Sequence, residues 1–559
     1  MVEFVLADPC ARVFEAGGTV WMAIGSEPAL FERIVKRETA KGRETREILQ
    51  ALSREAEEGT FAAVESPGRV GERTTLFRTL PSTFELYFRV DGNLIQVFDH
   101  FRNALSSVPA LERVPEEGAY ADHLLFAYEY LPGNHTLVRG IYKMTSGGMA
   151  EIGSDREIRF RQAETLSLPE EGGGPTPGEA VDRLEEIMEE RVSTYVALYG
   201  EPSVLLSGGV DSTLVLSCLG KGANAVTVGL DSPEYAFEMG YARMAGGLLE
   251  AHHTLEILEE SSFRQSVREV VETLGQPTGM AFLQPMAFHR AFRRDPGFFL
   301  YGEAVDALFG FNKLAKVFDD EELSALDREA LCRQPGDRAG YAARGGLSPD
   351  FETARKVLGE ALTESRLANR LDFALKLCPG LARLETSRLR AGHAEMLAIF
   401  TGFGHIREYI GRTRQQALCA GRTVMSPFSC RSAMELAFSM PMPGRILKDG
   451  VIKHVAKTLL ARRLPSYPVH ARKGGSDVPR TRFLQEGPLK GLFLEEGLPG
   501  FWPKEHADLL LHPRRESSFL ALNALGYALW EKRVLEKKDL EPVPGTRRFR
   551  AGTGKESPR

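Results

Sequence analysis

Cysteine is scarce and scattered in this chain of 559 residues. Its six copies, Cys10, Cys218, Cys332, Cys378, Cys419 and Cys430, include no CxxC pair, which argues against a disulfide framework or a zinc site and for a reducing compartment. An excess of basic charge is also missing. With 70 Lys and Arg against 76 Asp and Glu, the chain carries no electrostatic footprint for nucleic acid as its main partner. No apolar run is long enough to span a bilayer, and the opening MVEFVLADPCARVFEAGG lacks the basic start and apolar core of an export signal. A cytoplasmic protein without a membrane partner is expected. Internal repeats are absent too. The remaining composition, 43% hydrophobic and 26% charged, suits a folded globular chain, too long for one ordinary core.

Residues 169–178, PEEGGGPTPG, break every periodic pattern and read as a linker between residues 1–168 and 179–541. Before it, Leu86–Val90 and Leu94–Phe98 flank Asp91-Gly92, a hairpin signal. Thr136–Tyr142 and Ile158–Phe160 read as further strands, with a helix over Ala119–Tyr130. After the linker, Val181, Leu184, Met188, Val192 and Tyr195 recur at helical spacing. Short apolar strands at Val204–Leu206, Ala225–Leu230, Thr254–Leu258 and Phe298–Tyr301 then alternate with helix-length segments. That alternation implies a doubly wound parallel sheet with ligands at the C-terminal strand ends. Beyond Gly310 the chain turns mostly helical, as in Leu384–Phe400 and Met434–Ser439. Residues 542–559 read as a disordered basic tail.

The stretch Ser203–Leu219, SVLLSGGVDSTLVLSCL, carries the clearest chemistry. Its strand leads through Ser207, Gly208, Gly209, Val210, Asp211 and Ser212 into a helix that Asp211 or Ser212 would cap. Two glycines let the backbone approach a ligand, and the amides with the helix N-terminus suit phosphate. SGGVDS matches the SGGxDS signature of the PP-loop ATP pyrophosphatases, which split ATP between its α- and β-phosphates. The resemblance implies that Ser207, Gly208, Gly209, Asp211 and Ser212 hold the pyrophosphate portion of ATP, with Asp211 binding Mg2+.

Further along, GEAVDALFG at residues 302–310 resembles the SGEGADELFGGY segment of the asparagine synthetase family, in the same chain order. The family's first serine is Tyr301 here, its second glycine Ala304 and its second acid Ala307. The resemblance implies Asp306 as a second magnesium ligand and Leu206, Val228, Tyr301 and Gly302 as nucleotide contacts. Glu303 stands where asparagine synthetases carry a glutamate important for the adenylate and amine steps. In LPSYPVHARKGGSDVP, Lys473 aligns with the family lysine that contacts phosphate and stabilises developing charge. His252 and His253 match a family pair, for which a structural role is expected.

Around Pro427-Phe428 the family reads GxExRxPFLD, and Thr423, Met425 and Cys430 replace its glutamate, arginine and aspartate. That region is expected to shape the acceptor side, so aspartate need not be the substrate. Glutamine-hydrolysing members need cysteine directly after the initiator methionine, where its own α-amino group serves as base. Val2 stands there, and the glutamine-binding NGEIYN-like segment is missing. The expected fold is therefore α/β in two parts: a degenerate Ntn-glutaminase-like sandwich, then a doubly wound PP-loop (HUP-like) sheet with a helical extension. The chain resembles family members without glutaminase activity, such as β-lactam synthetases and lasso-peptide cyclases. The implied activity is ATP- and magnesium-dependent amide formation from a small-molecule or peptide carboxylate and an amine. An ammonia-dependent asparagine synthetase and a non-catalytic nucleotide-binding regulator are the alternatives, and a homodimer stays open.

Overall fold

Alternation along the early strands sends successive side chains to opposite faces, and both faces find a cover. In the strand Thr19–Gly25, Val20, Met22 and Ile24 enter one core while Trp21 and Ala23 enter another. The computed structural model describes residues 1–69, 71–126, 131–167, 173–295, 297–310, 349–379, 407–440, 442–471 and 478–551. Its first ten strands are β1 (Val2–Leu6), β2 (Arg12–Ala16), β3 (Thr19–Gly25), β4 (Gly59–Glu65), β5 (Arg73–Arg78), β6 (Tyr87–Asp91), β7 (Leu94–Phe98), β8 (Tyr142–Lys143), β9 (Gly148–Ile152) and β10 (Ile158–Gln162). They form two sheets, β1-β7-β6-β8 and β10-β9-β5-β4-β3-β2. Helices α1 (Pro28–Ala40) and α2 (Thr45–Glu55) cover the outer face of the second, through Phe31, Ile34 and Leu52. Helices α3 (Phe101–Ser106) and α4 (Ala119–Leu125) pack with Val5 and Phe98 on the outer face of the first. The result is a four-layer αββα sandwich.

The Asp91-Gly92 hairpin forms as expected, with Asp91 opposite Leu94 and Gly92 at φ 53°. Of the strand expected over Thr136–Tyr142, only Tyr142 lies in a strand, as the first residue of β8. A turn at Gly140 (φ 79°) interrupts the expected run, and the Thr136 hydroxyl donates to the carbonyls of Val138 and Ile141. Helix α4 stops at Leu125, and residues 127–130 of its expected span lie outside the described residues.

The basic C-terminal segment departs from expectation. Arg547–Arg550 is a strand, antiparallel to β1 and on the edge of its sheet. A run of arginines suggests a solvated tail, but here the run alternates. Phe549 pairs with Phe4 and packs on the core, while Arg548 and Arg550 flank the buried Glu3 carboxylate at 3.5 and 3.9 Å. Asn103 fixes the approach by accepting from the Val543 amide and donating to Thr546.

Helix α5 (Pro177–Tyr199) begins within the expected linker. Thr176 caps it, in a reciprocal box with Glu179, and proline fills its first position. It leads to β11 (Pro202–Leu205), α6 (Val210–Leu219), β12 (Asn224–Leu230), α7 (Ala236–Leu248), β13 (His252–Leu258), α8 (Glu260–Leu274), α9 (Gln284–Arg294), β14 (Phe298–Tyr301), α10 (Val305–Phe309) and β15 (Thr423–Met425). The sheet runs β13-β12-β11-β14-β15, parallel throughout. This is the expected doubly wound sheet. The order reverses beside β11, so the crevice between β11 and β14 is the place for a ligand. The segment Leu384–Phe400 lies outside the described residues, while Arg431–Ser439 forms the expected helix.

The sandwich and the parallel sheet share a core. Asp8 and Arg414, both almost fully buried, meet at 2.8 Å, and the guanidinium lies over the Phe84 ring at 3.7 Å. Among the described residues no helix is long and apolar enough to cross a membrane.

Candidate active site

The PP-loop follows β11 directly. Gly208 takes φ 69°, and a side chain there would collide with the backbone of Tyr241 and Ala242 in α7. Only glycine meets both demands. The Tyr467 hydroxyl donates to the Gly208 carbonyl from outside the loop. Helix α6 starts at Val210 with Gly209 as its N-cap, so neither Asp211 nor Ser212 caps it. The Ser212 hydroxyl turns back instead, accepting from the Ser207 amide at 3.1 Å and lying 3.1 Å from the Ser207 hydroxyl. Asp211 is thereby left in the first turn, beside the loop.

The second wall is the turn after β14. Gly302 passes so close to the first turn of α6 that a Cβ would sit 2.6 Å from the Asp211 carbonyl carbon and 2.6 Å from the Ser212 nitrogen. Ala304 keeps the left-handed backbone that a glycine would favour, at φ 87°. That conformation costs an alanine about 1 kcal/mol. Ala304→Gly is therefore expected to raise stability by roughly 0.5–1 kcal/mol, read as a higher thermal midpoint.

Three acids converge here. Lys453 Nζ lies 2.7 Å from Asp211 Oδ2 and also pairs with Asp306 Oδ1. Burial opposes the charge on Lys453, but the two carboxylates outweigh it and raise its pKa above the ordinary value. Glu303 accepts a hydrogen bond from the Tyr301 hydroxyl at 2.7 Å. Burial, reinforced by Asp306, pushes the Glu303 carboxyl up to about 7 against the pull of the Tyr301 bond. The Tyr301 ring is buried edge-on against Phe288, with centroids 5.0 Å apart. Ser426, just after β15, donates to the Glu303 carbonyl at 2.7 Å.

These groups open on one cavity of about 1060 Å³. Of the residues expected from sequence as nucleotide, magnesium or catalytic contacts, all but Gly208 and Lys473 line it, Leu206 and Val228 included. Gly208 supports the loop from behind, and Lys473 lies outside the described residues. Lys453 and Lys457, which sequence reasoning missed, line it as well. Their signal was Asp449-Gly450, a hairpin dipeptide between Leu447–Lys448 and Val451–Ile452 that delivers Lys453 to the start of the helix His454–Arg463. His253 bonds the Thr227 hydroxyl at 2.8 Å, and that hydroxyl donates to the Leu206 carbonyl. This is a supporting arrangement behind the loop. Thr423, Met425 and Cys430 do not line the cavity. Their segment reaches the site through Ser426.

A family model for asparagine synthase matches residues 182–499, more than half of the chain. The chain belongs to the asparagine synthase family. The asparagine synthase match takes in the parallel sheet, both walls of the cavity and Lys453. Over 390 residues the chain is 24% identical to a Mycobacterium bovis protein provisionally named a glutamine-hydrolyzing asparagine synthetase. It matches the Mycobacterium tuberculosis protein of the same name equally well. The alignment covers 65% of this chain and 58% of each relative, so under two thirds of the curated relatives' length is spanned.

The donor set fits magnesium. Asp211 and Asp306 supply hard oxygen donors close enough to share one ammonium. Among the described residues no group of three or more His, Cys, Asp or Glu could hold a metal alone. Magnesium does not require one, because it is commonly bound by one or two carboxylates with phosphate oxygens and waters completing the octahedron.

Proposed function

We propose that this chain is an ATP-dependent ligase that activates a carboxylate as its acyl-adenylate and passes it to an amine. The observation that carries the reading is the convergence of the PP-loop, Asp211, Asp306 and Glu303 on one cavity at the sheet's switch point. The loop amides and the start of α6 suit the β- and γ-phosphates, with Lys457 lining the same cavity. Asp211 and Asp306 would hold magnesium, which when bound neutralises charge on the departing pyrophosphate. A substrate carboxylate oxygen attacks the α-phosphorus, and the bond to pyrophosphate breaks. The amine then attacks the acyl carbon, AMP leaves, and Glu303 takes the proton shed by the nitrogen. Holding both reactants in one cavity favours the second step entropically. Lys473 is proposed as a further cation at the reacting phosphate.

Glutamine is not the proposed nitrogen source. Residue 2 is a valine buried in β1, and the sandwich's cysteine, Cys10, is buried with its thiol pushed well above the ordinary range by desolvation. Ammonia or a free amine fits better. The test is ATP–pyrophosphate exchange with aspartate and a panel of other acids. Wild type is expected to exchange with at least one acid, and Asp211→Ala to lose about a hundredfold or more. Exchange with aspartate points to ammonia-dependent asparagine synthesis, and exchange only with another acid or peptide to a specialised ligase. ATP binding without any exchange would favour a regulatory protein.

A further inference from the structure

Lys453 sits where two prospective metal ligands meet, and the chain fixes it there from both sides. Before it, the hairpin turns through Asp449 (φ 51°) and Gly450 (φ 74°). Lys453 itself is left-handed at φ 56°. After it, the helix His454–Arg463 packs against α5 and α6, the helix that carries Asp211. The side chain is 15% exposed, with its ammonium on one oxygen of each carboxylate. A lysine so held is not a surface cation that found a partner by chance.

Charge decides what this implies. Two carboxylates alone repel, and one ammonium between them lowers the local charge from −2 to −1. A divalent ion seated on the same oxygens would either crowd a fixed cation or drive it off both of its carboxylate partners in a largely buried setting. A polyphosphate removes the conflict, since its oxygens can receive both the ion and the displaced ammonium.

We propose that Lys453 is the resident cation of this site, pairing Asp211 with Asp306 and barring a divalent ion until a polyphosphate arrives with it. The inference rests on the reading of those two acids as magnesium ligands. It makes metal and nucleotide binding mutually dependent, each raising the affinity for the other.

The test is Mn2+ titration of the full chain, followed by water-proton relaxation enhancement, with and without a nonhydrolysable ATP analogue. Without the analogue, wild type is expected to bind Mn2+ at least about tenfold more weakly than Lys453→Met or Lys453→Gln. With the analogue, wild type binds it readily. Circular dichroism establishes that each variant is folded, and the two variants guard against failure of either. Wild-type binding of Mn2+ alone as tight as the variants' overturns the inference and leaves the metal site standing, as does a folded variant that gains nothing while wild type binds with the analogue. No Mn2+ binding by any protein, with or without the analogue, overturns both readings.

Discussion

Gly302→Ala is expected to lower pyrophosphate exchange by at least about a hundredfold while leaving the protein folded. Gly302 has an ordinary backbone angle, so backbone strain is not the cause. A methyl group there meets the carbonyl carbon of Asp211 and the amide of Ser212 at 2.6 Å, and its third neighbour is the Asp211 carbonyl oxygen at 2.8 Å. All three are backbone atoms in the first turn of α6, with no flexible side chain to yield. The turn after β14 and the start of α6 must separate, carrying Glu303 and Asp306 away from Asp211. Displacement near 1 Å of a positioned group costs about this much in rate. Gly222 is the control. It has φ 79° but open space around its missing Cβ, so Gly222→Ala should cost some stability and leave exchange intact. Equal losses of exchange in the two variants would refute the close-approach argument.

The parts of the site that follow a strand were legible in the sequence. SGGVDS after Val204–Leu206 and GEAVDALFG after Phe298–Tyr301 are local signals, and a parallel sheet brings the ends of adjacent strands together. Lys453 was not legible in the same way. It stands 242 residues from Asp211, and their meeting depends on a hairpin and on one helix packing upon two others. Neither leaves a periodic trace. The cap of α6 departs from the general preference of that position for serine and aspartate, because here Gly209 takes it and Ser212 serves the loop. Charge alone hides the C-terminal strand. Arg548 and Arg550 meet the Glu3 carboxylate because their strand lies beside β1, a long-range fact that composition does not hold.

Glu303→Gln is expected to separate the two half-reactions. Pyrophosphate exchange should persist, because the loop, Asp211, Asp306 and the cations are untouched. Amide formation should fall by roughly 10²–10⁴, the usual worth of a positioned base. In wild type the rate of amide formation should rise with pH through about 7 as the Glu303 carboxyl ionises, and the glutamine variant should lack that limb. The same shift fixes a sign for stability. The folded pKa, about 7, lies above the ordinary value of 4.5, so the folded protein holds the proton more tightly than the unfolded chain. Its contribution is fully present below pH 4.5 and is lost as pH rises through 7. The loss is on the order of 3 kcal/mol. Glutamine keeps an acceptor for the Tyr301 hydroxyl and carries no charge, so the variant escapes this loss. Its thermal midpoint should exceed that of wild type by more at pH 8 than at pH 5, measured under matched scans. A midpoint difference independent of pH would mean that Glu303 is not the buried acid whose ionisation strains the site. A stable variant that still forms the amide would remove Glu303 from the amine step.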